Sequence, residues 1–354
     1  MQDITSTNIQ ELERMISEAR KISVVTHQKP DGDAMGSCVA LYHFLHMSGK
    51  DSVRIILNDR YPAYLDFLTD GIPAKDLIIR QTMPAEAEIL LRDSDLIFCL
   101  DFNAFHRADA LEPHLTSSRA AKILIDHHLN PDRNAFDLSF SETDTSSASE
   151  LLYNILMSTS SIAQNAEYLP KMSAVALMTG MTTDTNNFGN STYPSTLLMA
   201  SSLLAAGVDR DAILSHLYNQ YSENRLRLMG HMMKDLMTLT EDGVAYMVLD
   251  RKTQNEYSVA EGDTEGFVNM PLSIAGVRMS ILAKEDEGKI RISIRSKKGT
   301  SANGCARTYF NGGGHENAAG GRLLIPEDIQ GIGFAAEYIE RHTHIYLNEN
   351  DENN

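Results

Sequence analysis

The chain has 354 residues, with 31 Lys and Arg against 48 Asp and Glu, so its formal net charge is −17. This length exceeds that of one average domain, about 150 residues, and predicts two. An ordinary apolar share of 42 % excludes wholesale disorder and fibrous folds. The excess of negative charge argues against a protein that coats long nucleic acid, whereas a small anionic substrate held at a local site is compatible with it.

The sequence carries no sign of a membrane or a secretory route. No apolar run reaches the roughly 20 residues that span a bilayer, and the polar N-terminus lacks the pattern of a signal peptide. We therefore expect a cytoplasmic protein without a membrane partner. Cys38, Cys99 and Cys305 are scattered and odd in number, which favours buried free thiols over disulfides or a zinc site. Whether the protein forms a homodimer is not indicated.

The first half of the chain alternates short β-rich runs with helix-like stretches. The runs at 22–26, 53–57, 95–100 and 122–125 are apolar, as in strands that are buried on both faces. Strands that alternate with helices predict an α/β domain with a parallel sheet and flanking helices. We assign this domain to residues 1–193.

The middle of the chain has helical patterns, and strand-like patterns follow it in the second half. Residues 194–238 predict a helical connector, and the apolar stripe of its last segment, 222–238, includes Leu226 and is expected to be core. Between 239 and 347, strand-like apolar runs precede a glycine cluster and a final helix. This order predicts a second, smaller α/β domain.

Residue types that bind metals directly follow three of the predicted strands. They are His27, Asp31 and Asp33 after the first strand, Asp101 after the third, and Asp126, His127 and His128 after the fourth. Because the carboxyl ends of parallel strands open on one crevice, we expect these side chains to converge there. Asp184, after an apolar helical run, can reach the same crevice.

Two imidazoles and four carboxylates from this group form a mixed donor set that suits Mn²⁺ better than thiolate-bound zinc. These six residues are His27, Asp31, Asp33, Asp101, His127 and Asp184. Four carboxylates exceed the need of one divalent ion, so the set predicts two ions about 3.5–4 Å apart that share one carboxylate. For any one residue alone, a helix N-cap or a satisfied histidine is the commoner explanation; their occurrence on three strands favours the metal site.

A second candidate site combines a basic strand with glycines. Arg295 lies on the polar face of the basic run 289–298, for which a solvated surface is the commoner explanation. Nearby, the three glycines of 312–314 lead to His315, where we expect a helix to begin and its amides to favour an anion. The combination predicts a site for a phosphate group.

Together, these residues resemble the DHH family of phosphoesterases, named for the triplet found here at 126–128. The resemblance extends to THQKPDGDAMGS at 26–37, to the TDT around Asp184, and to GGGH at 312–315, which marks the associated DHHA1 domain. Length and layout are most similar to the nano-RNase and pAp-phosphatase subgroup. One departure is Asn186-Asn187 in place of a glycine; because Asn tolerates left-handed backbone angles, we expect it to replace that glycine.

The resemblance implies a role for each site residue, with the active site in the cleft between the two domains. One Mn²⁺ would be held by His27, Asp31 and Asp101, and a second by Asp33, Asp101, His127 and Asp184, so that Asp101 is the bridge. The implied catalytic residues are Asp101, Asp126, which orients the ligands, and His128, which faces the substrate phosphate. The implied substrate-binding residues are His128, Arg295, Ser296, Gly313, Gly314 and His315. Arg107, six residues after Asp101, fits a substrate contact or a salt bridge equally well.

The implied activity is metal-dependent phosphohydrolysis by an activated hydroxide. Its expected substrates are very short RNA oligonucleotides, degraded to mononucleotides, and 3′-phosphoadenosine 5′-phosphate (pAp), dephosphorylated to AMP. A phosphodiesterase of c-di-AMP, pApA or pGpG is a close alternative, and a manganese pyrophosphatase should lack GGGH. A non-catalytic nucleotide sensor is the alternative from another class, and it should have lost metal ligands. The direction of attack on RNA is not indicated.

Overall fold

The computed structural model describes residues 3–219, 221–260 and 262–351, except the side chains of 350 and 351. The chain divides into two compact units, Met1–Gln220 and Tyr221–Asn354. The predicted connector, 194–238, is therefore shared between the units, with its first two helices in the first. Within the described ranges, no helix is both long and apolar enough to cross a membrane.

The first unit is built on a six-stranded parallel sheet, as predicted. The strands are β1 (Ile22–Thr26), β2 (Val53–Leu57), β3 (Leu77–Ile79), β4 (Leu96–Leu100), β5 (Ala121–Asp126) and β6 (Leu138–Ser141). Their order in the sheet is β3-β2-β1-β4-β5-β6. The short strands β3 and β6 were not predicted, because three or four residues carry too little pattern to be separated from a loop.

Helices cover both faces of this sheet. They are α1 (Ser6–Glu18), α2 (Gly32–Met47), α3 (Asp66–Thr69), α4 (Pro84–Asp93), α5 (Glu112–Ser117), α6 (Ala148–Met157), α7 (Lys171–Asp184), α8 (Pro194–Ala205) and α9 (Arg210–Tyr218). Neighbouring residues of β1 show the two layers: Val24 belongs to the core under α2, α6 and α7, and Val25 to the core under α4 and α5. Burial on both faces explains why the strands are continuous apolar runs.

The strand order places a crevice between β1 and β4. The chain proceeds outward from β1 in one direction and from β4 in the other, so the loops after these two strands part and leave a crevice at their carboxyl ends. Helices α2 and α7 pack closely beside it. A Cβ on Gly180 of α7 would lie 2.8 Å from a carboxylate oxygen of Asp33 on α2, so this approach requires glycine.

The second unit contains a mixed six-stranded sheet. Its strands are β7 (Met237–Leu239), β8 (Val244–Leu249), β9 (Met279–Asp286), β10 (Lys289–Ser296), β11 (Gly313–Gly314) and β12 (Ala318–Leu324), in the order β11-β12-β10-β9-β8-β7. Only the β8–β9 pair is parallel among these described strands. The helices are α10 (Glu223–His231), α11 (Arg251–Glu256), α12 (Ala302–Tyr309) and α13 (Ala335–Asp351). The α/β fold class of both domains is confirmed.

One local prediction for this unit is wrong, and a second is correct only in part. The chain after His315 does not begin a helix; it turns and pairs as β12 with β10, since its Ala-Ala-Gly-Gly start is a poor helix former that fits against a neighbouring backbone. Of the predicted apolar stripe, Met229, Met233 and Leu236 pack against the core that contains Leu228 and Met232, whereas Leu226 is 50 % exposed. The three cysteines are free and buried, as predicted.

Candidate active site

Three strand ends of the first unit bring the predicted metal ligands together. His27 follows β1, Asp101 follows β4, and the triplet 126–128 begins at the last residue of β5. Within the first unit, the described residues form three groups whose members each offer one ligand atom within 4.8 Å of the others: His27, Asp31 and Asp101; Asp33, Asp101 and His127; Asp101, Asp126 and His128. Asp101 belongs to all three.

The two oxygens of Asp101 face different histidines. Its Oδ2 lies 3.3 Å from Nε2 of His27, and its Oδ1 lies 3.6 Å from Nε2 of His127. Asp101 has a φ of 62°, a left-handed backbone that is uncommon outside glycine and turns the side chain inward at the strand end. The Oδ1 atom is buried and has no hydrogen-bond partner among the described residues. A bound cation is the partner that such an atom lacks.

His127 lies among the carboxylates of the second group. Its Nε2 is 3.4 Å from Oδ2 of Asp184, the last residue of α7, and 3.9 Å from Oδ2 of Asp33 on α2. Because α2 and α7 pack directly on each other, the two carboxylates reach the crevice from the same side. Five of the six predicted ligands therefore lie in two adjacent groups that share Asp101, and the sixth, Asp184, contacts His127 of the second group.

The N-terminus of α6 holds Asp33, a contact that sequence reasoning missed. Both carboxylate oxygens of Asp33 accept backbone hydrogen bonds, from the amides of Ala148 at 2.6 Å and Ser149 at 2.9 Å. The amide groups of a helix N-terminus favour a negative charge. The spacing of Ser147 and Glu150 does predict where this helix begins, but not which carboxylate it holds.

Close packing of these groups shifts their pKa values strongly. Burial and the neighbouring charges of Asp101 and Asp184 raise the pKa of Asp33 well above its ordinary value. Although burial alone would raise the pKa of Asp101, the imidazoles of His127 and His27 hold it well below its usual range. Burial alone would likewise lower the pKa of His127, yet the surrounding carboxylates raise it well above 6.5. The raised pKa values of Asp33 and His127 favour the protonated, less negative forms of both groups.

Asp126 fixes the ring of His128. Its Oδ1 lies 2.7 Å from Nδ1 of His128, and its Oδ2 accepts the His128 backbone amide at 3.2 Å. Asp126 is fully buried. Burial lowers the pKa of His128, and the charge of Asp126 opposes that shift only in part, so the neutral imidazole is favoured. The carboxylate therefore sets the ring's orientation and its tautomer.

The donor chemistry of the crevice fits divalent metal ions. Imidazole nitrogens and carboxylate oxygens are the ligands of Mn²⁺ and related ions, and the described part of the crevice holds no thiolate. Helix α2 also begins here, with Asp31 as its N-cap, so this carboxylate serves both the helix and the first group. The clusters can hold metal.

The second unit places its predicted substrate residues at one end of the sheet. Arg295 on β10 lies opposite Ala318 on β12, and the backbone amide of His315 donates to the Ala318 carbonyl at 2.8 Å. Gly313 and Gly314 form β11, which continues the sheet beyond β12. A Cβ on Gly314 would lie 2.5 Å from the Ala318 carbonyl oxygen, and its φ of 152° is a glycine conformation.

The hydroxyl of Ser296 already has partners within the unit. It donates to the Thr300 carbonyl at 2.6 Å and accepts from the Asn317 side-chain amide at 3.0 Å. These bonds join the end of β10 to the turn between β11 and β12. Ser296 therefore holds the loop that carries His315, a structural function that no sequence pattern indicates.

The loop after Asp184 has the backbone that its sequence predicts. Asn186 and Asn187 have φ values of 47° and 57°, both in the left-handed region that Asn tolerates. The two asparagines thus adopt, next to Asp184, the left-handed conformation that a glycine would supply.

Fold and site together define a two-domain phosphoesterase, and comparison with known proteins agrees. Residues 21–181 match the DHH family, N-terminal domain, and residues 241–337 match the DHHA1 domain. The bifunctional oligoribonuclease and PAP phosphatase NrnA of Bacillus subtilis (strain 168) is 28% identical over 325 residues, 91% of this chain and 95% of that protein. The crystal structure of an exopolyphosphatase-related protein from Bacteroides fragilis has 35% sequence identity and a TM-score of 0.88 over 98% of both chains.

A third relative is longer than this chain. The cyclic-di-AMP phosphodiesterase GdpP of Geobacillus thermodenitrificans (strain NG80-2) is 24% identical over 349 residues, which are 95% of this chain and 49% of that protein. The chain belongs to the DHH family of phosphoesterases, with DHHA1 as its second domain, and it is a hydrolytic enzyme. The predicted family is confirmed.

Proposed function

We propose that this protein degrades very short RNA oligonucleotides to mononucleotides and removes the 3′-phosphate of pAp. The observation that carries the proposal is the shared position of Asp101, whose two oxygens face His27 and His127. Similarity to an oligoribonuclease and PAP phosphatase over most of both chains supports the choice of substrates.

We propose that the crevice of the first unit holds two divalent ions, Mn²⁺ in preference to others. The first would be bound by His27, Asp31 and Asp101, and the second by Asp33, Asp101, His127 and Asp184. When bound, such ions supply a water of lowered pKa and the positive charge that neutralises a phosphate ester. The strong repulsion among the carboxylates of the second group supports this assignment, because it is relieved by a cation.

His128 and Asp126 would act on the substrate side of the crevice. The bond between Asp126 and Nδ1 of His128 fixes the orientation of the ring, from which His128 would act on a phosphate oxygen or a leaving group. Asp126 is then a positioning residue. In the second unit, Arg295 and His315 would bind the remaining phosphate groups of the substrate, with Gly313 and Gly314 giving close backbone approach.

The direct test is product formation from 5′-labelled RNAs of two to seven residues and from pAp. Parallel reactions contain Mn²⁺, Mg²⁺ or a chelator, and the panel includes pGpG, pApA, c-di-AMP and pyrophosphate. We expect metal-dependent release of mononucleotides from the short RNAs and of AMP from pAp. Loss of both activities in Asp101→Ala, with full activity in the exposed control Asp51→Ala, would assign them to the crevice.

Two other outcomes of this test would indicate a different activity. Preference for c-di-AMP or the linear dinucleotides, with little action on longer RNA or pAp, would make the protein a dinucleotide phosphodiesterase. Faster hydrolysis of pyrophosphate than of any nucleotide would overturn the choice of substrate class.

A further inference from the structure

Arg107 lies in a rigid segment at the edge of the candidate metal centre. The segment is a 3₁₀ stretch, Phe105–Leu111, that closely follows Asp101 at the end of β4. Ala108 and Leu111 are fully buried in the core under α4 and α5, and Phe105 packs edge-to-face on Phe136 at 5.1 Å. The backbone beside Arg107 is therefore fixed by packing, as a binding residue requires.

A backbone hydrogen bond joins Arg107 to the loop that carries His27. The amide of Gln28 donates to the Arg107 carbonyl at 2.8 Å, and the Gln28 carbonyl is 2.7 Å from Nδ1 of His27. The loops after β1 and β4, which part at the crevice, are thus connected through Arg107. This places the residue at the metal centre without making it a candidate ligand.

The positive charge of Arg107 acts on two histidines of the site. For His27, burial lowers the pKa, but Asp101 and Asp31 raise it by more, so the pKa is raised overall. The charge of Arg107 opposes that rise. For His128, burial lowers the pKa, and Arg107 adds to that effect. The backbone contacts place the segment of Arg107 between the loops after β1 and β4. The effect of its charge on both histidines agrees with a guanidinium on the crevice side of that segment.

Arg107 is half-buried. Among the described residues, no hydrogen bond or ion pair involves its side chain, so the salt bridge that the sequence left open is not formed there. A guanidinium has five N–H donors in a planar fork, and partial burial removes water from some of them. An anion in the crevice would satisfy them.

We propose that Arg107 binds the phosphate group that is hydrolysed, with two parallel N–H donors to two of its non-bridging oxygens. The inference deepens the proposed function and rests on it for the identity of the substrate. A planar fork matches the spacing of phosphate oxygens, which a lysine ammonium cannot reproduce. Arg107 would thereby orient the phosphorus within the crevice and offset the charge that develops on it.

The test compares Arg107→Ala and Arg107→Lys with the parent and with Arg119→Ala, which removes the same charge from an exposed position in the same unit. Steady-state rates are measured on pAp and on a diribonucleotide with Mn²⁺. We expect kcat/KM to fall about 10- to 100-fold in Arg107→Ala, with partial recovery in Arg107→Lys and less than a twofold change in Arg119→Ala. The bound Mn²⁺ content should equal that of the parent in all variants.

Equilibrium dialysis of labelled inorganic phosphate against the Mn²⁺-loaded proteins gives a readout that does not depend on turnover. We expect the dissociation constant for phosphate to rise about 10-fold or more in Arg107→Ala alone. If the parent hydrolyses none of the nucleotides, the proposed function fails, and the phosphate measurement still decides the case of Arg107. Unchanged phosphate affinity, or a loss of Mn²⁺ that accompanies the loss of rate, would overturn the proposal.

Discussion

The two candidate sites of this protein differ in how deeply their charges are buried. In the first unit, Asp33, Asp101 and His127 are 1%, 3% and 5% exposed, and Asp126 is fully buried. In the second unit, Arg295 on the inner strand β10 and His315 in the turn after the glycine strand β11 are only half-buried. Burying charge is costly unless an opposite charge or hydrogen bonds offset the cost.

This difference indicates two kinds of function. A buried set of carboxylates is stable only with protons, amide donors or cations beside it, so its chemistry depends on what neutralises it. Half-solvated cationic groups cost little to maintain and bind anions with moderate strength. Substitutions of the buried carboxylates in the first unit should therefore abolish the reaction, and substitutions of Arg295 or His315 in the second should weaken substrate binding.

The largest effect is expected for Asp101→Ala. Because this carboxylate belongs to all three candidate ligand groups formed by described residues of the first unit, we expect turnover to fall by at least about 1000-fold and both proposed metal sites to weaken. Metal analysis after gel filtration and rates on pAp measure the two effects. Normal two-ion content in this variant would contradict the bridging role, and Asp51→Ala controls for loss of one carboxylate.

Arg295→Ala and His315→Ala should raise KM for oligonucleotides about 10- to 100-fold while the Mn²⁺ content is unchanged. Their side chains belong to the second unit, and neither residue is among the proposed metal ligands. Arg341→Ala, exposed on α13, removes a charge from the same unit and should leave KM unaltered. Equal losses of kcat and of bound metal would remove the distinction between the two sites.

Much of the first unit can be predicted because its signals are local. Each central strand is a continuous apolar run, and the polar residue that follows it marks the carboxyl end, so His27, Asp101 and the triplet 126–128 can be placed from sequence alone. The position of Asp184 is less local. It depends on α7 packing against α2. Gly180 permits the close approach of the two helices, and no pattern within α7 predicts that contact.

Other features depend on contacts between distant residues. Asp33 and Ala148 are 115 residues apart, so no sequence spacing connects the carboxylate with the helix that holds it. The strand β12 begins with glycines and alanines, which carry no alternation, and it is defined by its pairing with β10. Arg107 could equally form a salt bridge or face a substrate until the fold showed which groups surround it.

A pH dependence of stability follows from His127 in the metal-free protein. Carboxylates raise its pKa well above 6.5 despite burial, so the folded state binds this proton more tightly than the unfolded state. The stabilisation is fully present below pH about 6.5 and is lost as the pH rises through the folded pKa. Urea unfolding in chelator should therefore give a free energy that decreases from pH 6 to pH 8.

Metal should reverse this trend, because it binds the neutral imidazole. With Mn²⁺ present, we expect stability to increase over the same range, and His127→Gln should lack the decrease seen in chelator. If the free energy of unfolding in chelator changed with pH equally in the parent and in His127→Gln, the decrease would arise from another group. His127 would then not be the residue that exchanges a proton for a cation.

The smallest effect separates the two functions of Asp31, the one candidate ligand that is half exposed. Its Oδ1 accepts the amides of Asp33 and Ala34 at 3.1 Å as the N-cap of α2. Asp31→Asn keeps a good cap, so we expect metal-free stability within about 0.5 kcal/mol of the parent but weaker Mn²⁺ binding. Asp31→Ala should lose about 1 kcal/mol more. Asp209→Ala, at the N-cap of α9, should show the same loss of stability with Mn²⁺ binding intact. If Asp31→Asn bound Mn²⁺ like the parent, Asp31 would be a cap alone, and only the deeply buried carboxylates would remain as ligands.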